Sequence, residues 1–282
     1  MSAQVAEVAE VSFSVESPRG PHAVTVSYKR TGTGDPLLLL HGIGHHRQAW
    51  DPVVGILAAE RDVISVDLPG FGASPALPDG LAYDLSTVVP ALHALCEALG
   101  VDRPHVAGNS LGGLLALELG REKLVRSVTA LSPAGFWNEA ERRYAFTTLL
   151  TMRRMARLMP LPMIERLSRS AVGRTALTST IYARPGHRSP EAVVAETLAL
   201  RNATGFHETL VAGQSVLFRD DVPDLPVTVA WGTRDRLLLR RQGVRAKQAI
   251  PGARLVRLPG CGHVPMHDDP ALVARVILDT SR

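Results

Sequence analysis

"HVAGNSLGGLLAL", residues 105–117, sets a serine between close glycines where an apolar strand pattern gives way to helical spacing. A serine hydroxyl is a weak nucleophile, so it must be exposed beside a base, with donors waiting for the developing oxyanion. A strand-to-helix turn achieves this when it is very tight, and tightness demands small residues two positions either side of the serine. Gly108 and Gly112 stand at those positions around Ser110, and Gly113 relieves crowding further. The same turn would bring the first amide of the new helix, that of Leu111, toward the reacting carbonyl as an oxyanion donor.

Working outward, short apolar runs recur at "PLLLLHG" (36–42), "DVISVDLPG" (62–70), "RPHVAGNS" (103–110) and "VRSVTALSP" (125–133), each followed by a helical segment. Such runs argue for parallel strands joined by right-handed crossovers, hence an α/β fold. Alternation in "VSFSV" (11–15) and "AVTVSY" (23–28), around the turn-prone "ESPRGPH", predicts an antiparallel edge. In "AYDLSTVVPALHALCEALG" a stripe from Leu85 through Val88, Val89, Leu92, Leu95 and Cys96 to Leu99 predicts a helix stopped by Gly100. Pro90 inside it predicts a kink or a later start. After Ser132-Pro133 the alternation lapses, and it resumes at "DLPVTVAWGTRD", "RQGVRAKQAIPG", "ARLVRLPGCGH" and "DPALVARVILDTS". An all-helical insertion accounts for the gap, with "LMPLPM" (158–163) as a helix break inside it.

A nucleophile needs a base, and His263 is the candidate among ten histidines because it follows the final strand in the loop "CGHVPMHDDP". His267 is its main competitor and is expected to be a surface or loop residue. The acid that orients the base is assigned to Asp235, at the end of "VTVAWGTRD" and between serine and histidine in chain order. Asp220, Asp221 and Asp224 precede that strand, at its wrong end. A second oxyanion donor is expected from "LLLLHGIGHHRQAW": Gly42 and Gly44 permit close approach, and the amide of Ile43 is the candidate. His41 is read as a brace for this loop and Asp67 as a structural acceptor in "DLPGFGAS", which lacks a full dinucleotide pattern. Adjacent histidines point apart and no carboxylate triad accompanies His41, His45 and His46, so neither metal nor other cofactor is expected.

With 282 residues, 45% of them hydrophobic, the chain can bury a sizeable core. The N-terminus lacks a signal-peptide pattern and no apolar run reaches membrane-spanning length, so a cytoplasmic protein without stable membrane insertion is expected. Cys96 and Cys261 suggest reduced thiols. The net charge of +4 is uneven, because residues 136–205 hold far more arginines than carboxylates. A solvated face is the ordinary account; attraction of an acidic substrate or an anionic surface is the other. Aromatic interleaving is missing, so no nucleic-acid partner is expected. Met152, Met155, Met159 and Met163 recur at helical spacing, as core packing or as a pliable apolar wall for an acyl group.

The set "HGIG", "DLPGFGAS", "GNSLGG", "WGTRD" and "GCGHVP" resembles the α/β-hydrolase superfamily from about residue 11 to 282. The resemblance implies a mostly parallel eight-stranded sheet flanked by helices, a Ser110-His263-Asp235 triad, and a helical lid at 136–220 set into a core of 1–135 and 221–282. It points to a serine hydrolase acting on a small or medium carboxylic ester, with Gly42, Asn109, Met152, Met155 and Met159 as candidate substrate contacts. "GNSLGG" is also similar to hydrolases of carbon–carbon bonds in ring-fission products, although their usual Gly-Pro-Gly is replaced here by "GHHRQAW". Acyl transfer with the same triad and a non-catalytic ligand receptor are the remaining alternatives. Neither the substrate nor the oligomeric state is legible.

Overall fold

In the computed structural model, which describes residues 8–282, the alternating segments form two long strands. Val8–Ser17 (β1) and Gly20–Thr31 (β2) pair antiparallel. The apolar runs become Pro36–Leu40 (β3), Asp62–Val66 (β4), His105–Asn109 (β5), Ser127–Leu131 (β6), Val227–Gly232 (β7) and Arg254–Leu258 (β8). β2 also pairs antiparallel with β4, the pairings among β3 to β8 are all parallel, and β4 to β7 are buried at every position because helices cover both faces.

Around the sheet lie Asp51–Leu57 (α1), Leu85–Ala98 (α2), Leu111–Arg121 (α3), Arg241–Ala249 (α9) and Pro270–Thr280 (α10). Between β6 and β7 come five helices without a strand: Glu139–Leu158 (α4), Leu161–Ser168 (α5), Ala171–Thr178 (α6), Pro190–Asn202 (α7) and Phe206–Ala212 (α8). The run of four leucines in β3 serves both cores by period-two alternation. Leu38 and Leu40 join one buried cluster, with Leu92, Leu95 and Leu115; Leu37 and Leu39 join the other, with Trp50, Leu57 and Val63. Each such burial stabilises the fold by roughly 1.5–3 kcal/mol.

The sheet order β1-β2-β4-β3-β5-β6-β7-β8 places β3 between β4 and β5. The chain leaves β3 to one side and returns to the other, which opens a crevice beyond the carboxyl ends of β3 and β5. Leu40 pairs in register with Gly108, so the "HGIG" loop and the Ser110 turn emerge side by side.

The expected later start of α2 does not occur. Asp84 caps it, accepting from the Thr87 amide at 3.0 Å, and Pro90 sits in the helix interior. Pro90 and Ser86 are both exposed, so the carbonyl deprived of its helical donor reaches water. The break at "LMPLPM" is present: α4 ends at Leu158 and Pro160 opens α5. At its other end α4 starts with a capping box, in which Asn138 and Glu141 exchange backbone bonds of 2.9 Å. Glu141 is buried and also pairs with Arg241 and Arg245, which ties α4 to α9. Cys96 and Cys261 are free and buried, and burial pushes both thiols up to about 12. Among the described residues no helix is long and apolar enough to cross a membrane.

Candidate active site

Ser110 occupies the N-cap of α3 with φ 57° and ψ −114°, a left-handed backbone that a serine adopts only under constraint. Its amide donates to the Leu131 carbonyl at 3.0 Å and its carbonyl accepts from Leu114 at 3.0 Å. The glycines make the turn possible. A Cβ on Gly108 would stand 2.0 Å from the Gly112 carbonyl oxygen, and one on Gly112 would stand 2.1 Å from the Leu40 carbonyl oxygen. Any side chain there would force α3 away from the sheet.

His263 and Asp235 meet as the chain order implied. Nδ1–H of His263 donates to Oδ2 of Asp235 at 2.9 Å, and both side chains are buried. Oδ1 of Asp235 accepts from the amides of Leu237 and Leu238, each at 2.9 Å, which fixes the carboxylate's orientation. With its proton on Nδ1, the ring keeps the Nε2 lone pair free, as a general base requires. Ser110 and His263 line one cavity of about 280 Å³. Asp220 and Asp221 are exposed, and Asp224 pairs with Lys123 at 3.1 Å, all before β7.

Gly42, Ile43, Asn109, Met152, Met155 and Met159 all border that cavity, whereas Leu111 borders a neighbouring one. Among the described residues the amides of Ile43 and Leu111 have no acceptor inside the protein. Of the methionines, Met163 stays outside the cavity and is half exposed; the other three form wall rather than core. Asn109 also braces the site. Its amide nitrogen donates to Leu131 O at 3.1 Å and His263 O at 2.9 Å, leaving neither hydrogen for a ligand.

His41 and Asp67 do brace their loops. The His41 ring donates from Nδ1 to Gly42 O at 2.7 Å and accepts at Nε2 from Leu68 N at 3.0 Å, and burial drives its pKa down to about 4. Asp67 accepts from the amides of Arg47 at 2.6 Å and Ala73 at 3.0 Å and pairs with the Arg47 guanidinium. His267 lies in the short turn Pro265–His267 of the loop that carries His263. It is half-buried, edge-on to the Tyr182 ring at 5.5 Å, and burial beside the Arg188 cation lowers its pKa to about 3. It does not border the cavity.

Four residues with no motif of their own complete the surroundings. His45 Nδ1 accepts from the His46 amide at 3.0 Å, so its proton lies on Nε2 and is donated to the Tyr182 hydroxyl at 3.2 Å. Tyr182 and Glu196 border the cavity on the same side, and Glu196 pairs with Arg188 behind it. Burial raises the pKa of Glu196 and, well above the ordinary phenol, that of Tyr182. Asp268 accepts from the amides of Gly262 at 2.8 Å, Ala183 at 3.1 Å and Arg184 at 3.0 Å, and so holds the His263 loop to the helical segment. In sequence, nothing separates Asp268 from Asp269, which merely caps α10.

An α/β sheet with a strained serine after β5 and a histidine–aspartate pair beyond β7 and β8 defines a class, and the comparisons agree. The chain belongs to the alpha/beta hydrolase family, whose model matches residues 37–276. An uncharacterized protein of Mycobacterium tuberculosis is 29% identical over 272 residues, covering 90% of this chain and 77% of its own. A pimeloyl-(acyl-carrier protein) methyl ester esterase of Aeromonas hydrophila is 30% identical over 265 residues, covering 90% of this chain and 98% of its own. A thermophilic esterase from Thermogutta terrifontis, solved with malate bound, shares the fold with a TM-score of 0.75 at 21% identity, over 96% of this chain and 97% of that one.

Proposed function

We propose that this protein is a serine hydrolase cleaving a small or medium carboxylic ester through an acyl-enzyme on Ser110. The observation that carries the proposal is the buried His263–Asp235 hydrogen bond of 2.9 Å beside a cavity that Ser110 also borders. Ser110 Oγ attacks the ester carbonyl carbon while His263 Nε2 takes its proton. The carbonyl electron pair moves onto oxygen, cradled by the free amides of Ile43 and Leu111. Collapse expels the alcohol, which leaves with the proton from His263; water then repeats the attack on the acyl group and restores Ser110. Asp235 holds the ring and stabilises its cation. Helices α4 to α8 act as the lid, residues 136–220 over a core of 1–135 and 221–282, and Met152, Met155 and Met159 give the acyl group an adaptable apolar wall.

Turnover of short p-nitrophenyl esters tests this. Ser110→Ala should abolish it, and a fluorophosphonate should label wild type stoichiometrically. Unchanged turnover in the variant would refute the assignment. Cleavage of a vinylogous ring-fission diketone in place of the ester would move the same triad to carbon–carbon chemistry, and product partitioning toward an added alcohol would move it to acyl transfer.

A further inference from the structure

Exposed apolar side chains are unevenly distributed over this molecule. Of the thirteen large ones exposed among the described residues, Leu150, Met155, Leu158, Leu161, Met163 and Val172 fall within one stretch spanning the end of α4, all of α5 and the start of α6. Leu158 keeps 68% and Val172 81% of their surface in contact with solvent. On α4, Leu150, Arg154 and Leu158 recur every fourth residue and so share a face, opposite the buried Leu149 and Ala156. Beyond the break at Pro160, Leu161 and Met163 are exposed on α5; α4 and α5 both pack against α7, and α5 packs against α6, which carries Val172.

Charge is concentrated in the same place. Residues 150–172 contain Arg153, Arg154, Arg157, Arg166 and Arg169 against Glu165 alone, a net +4 equal to the formal charge of the entire chain. Arg153 is committed inward, to Ala203 O at 2.7 Å and over the Phe206 ring. Arg154, Arg157, Arg166 and Arg169 are exposed, and among the described residues none of their side chains has an ion pair or hydrogen bond. Their exposure beside bare leucine, methionine and valine is the pattern of a monotopic surface, apolar groups entering the headgroup boundary and guanidinium groups meeting anionic headgroups. Met155 belongs to both the patch and the cavity wall.

We propose that the tip formed by α4, α5 and α6 docks reversibly on an anionic lipid surface. The proposal rests on exposure and charge and does not depend on the role given to Ser110. It is tested by co-sedimentation with vesicles of equal parts phosphatidylglycerol and phosphatidylcholine, against vesicles of phosphatidylcholine alone. Binding should be confined to the anionic vesicles and should weaken with salt. Arg157→Gln with Arg166→Gln should weaken it by about fivefold per arginine, roughly 25-fold for the pair. Leu158→Ser with Val172→Ser should also weaken it, while turnover of a soluble ester and the melting temperature stay at wild-type values. Ser110→Ala should bind as wild type does, which separates failure of the esterase proposal from failure of this one. Equal binding to both vesicle types, no binding by folded protein, or binding indifferent to both double variants would overturn it. So would a stable dimer in light scattering that dissociates in Leu158→Ser/Val172→Ser, which would assign the face to a second copy of the chain.

Discussion

Replacing Asp235 by asparagine should nearly abolish turnover while leaving the fold intact, and the hydrogen-bond pattern says why. Oδ1 of Asp235 is held by two amide donors, Leu237 and Leu238 at 2.9 Å each. An amide NH2 cannot accept those bonds, so in Asp235→Asn the carbonyl oxygen must stay at that position and the nitrogen must take the place of Oδ2. The nitrogen then donates to Nδ1 of His263, which can accept only by moving its own proton to Nε2. The Nε2 lone pair is lost, and with it the general base proposed for Ser110. A tautomer switch of this kind costs on the order of 10⁴-fold in kcat, about 5.5 kcal/mol of transition-state stabilisation. Every hydrogen bond keeps a partner, so unfolding free energy should change by less than about 1 kcal/mol. Asp235→Ala makes the contrast: it strands two buried amides and the imidazole and should destabilise by roughly 3 kcal/mol. Steady-state ester hydrolysis and urea denaturation on the three proteins suffice. An asparagine variant retaining more than about a tenth of wild-type kcat would refute the assignment of His263 as base oriented by Asp235.

Two further outcomes are expected. Gly112→Ala drives a Cβ to 2.1 Å from the Leu40 carbonyl oxygen and 2.7 Å from that of His41; because both are backbone, destabilisation should reach about 3 kcal/mol or more in urea titration, and a loss below about 1 kcal/mol would show that α3 can shift freely. His41 has its folded pKa near 4, below the ordinary 6.5, so the unfolded chain binds the extra proton first as pH falls; stability should drop by roughly 3 kcal/mol from this residue between pH 6.5 and 4, and a flat profile over that window would contradict the neutral buried ring.

Much of the fold was legible because it follows from local rules. Apolar runs buried on both faces read directly as parallel strands, and the spacing of Gly108, Ser110 and Gly112 encodes a turn whose sterics leave no alternative. Chain order then separated Asp235 from Asp220, Asp221 and Asp224, since only the first follows its strand. Where local reading failed, a longer-range effect intervened. Pro90 did not delay α2, because the cap at Asp84 and the buried stripe outweigh one carbonyl that water can satisfy. His267 is a loop residue as read, but nothing in "HVPMHDDP" reveals that Tyr182 and Arg188 cover it.

The sequence by itself thus determined the tight serine turn, the order of its candidate partners and the α/β architecture, all of which depend on residues near one another or on strand order. Only the tertiary structure decided that Asn109 spends its amide on the His263 loop, that three methionines face the cavity, and that Asp268 rather than Asp269 clamps that loop. It also brought His45, Tyr182 and Glu196 to one wall of the cavity. Those roles depend on side chains meeting across separations such as the 137 residues between His45 and Tyr182. Such a meeting has no periodicity and no spacing rule; it exists once helix packing has chosen which face of each segment turns inward.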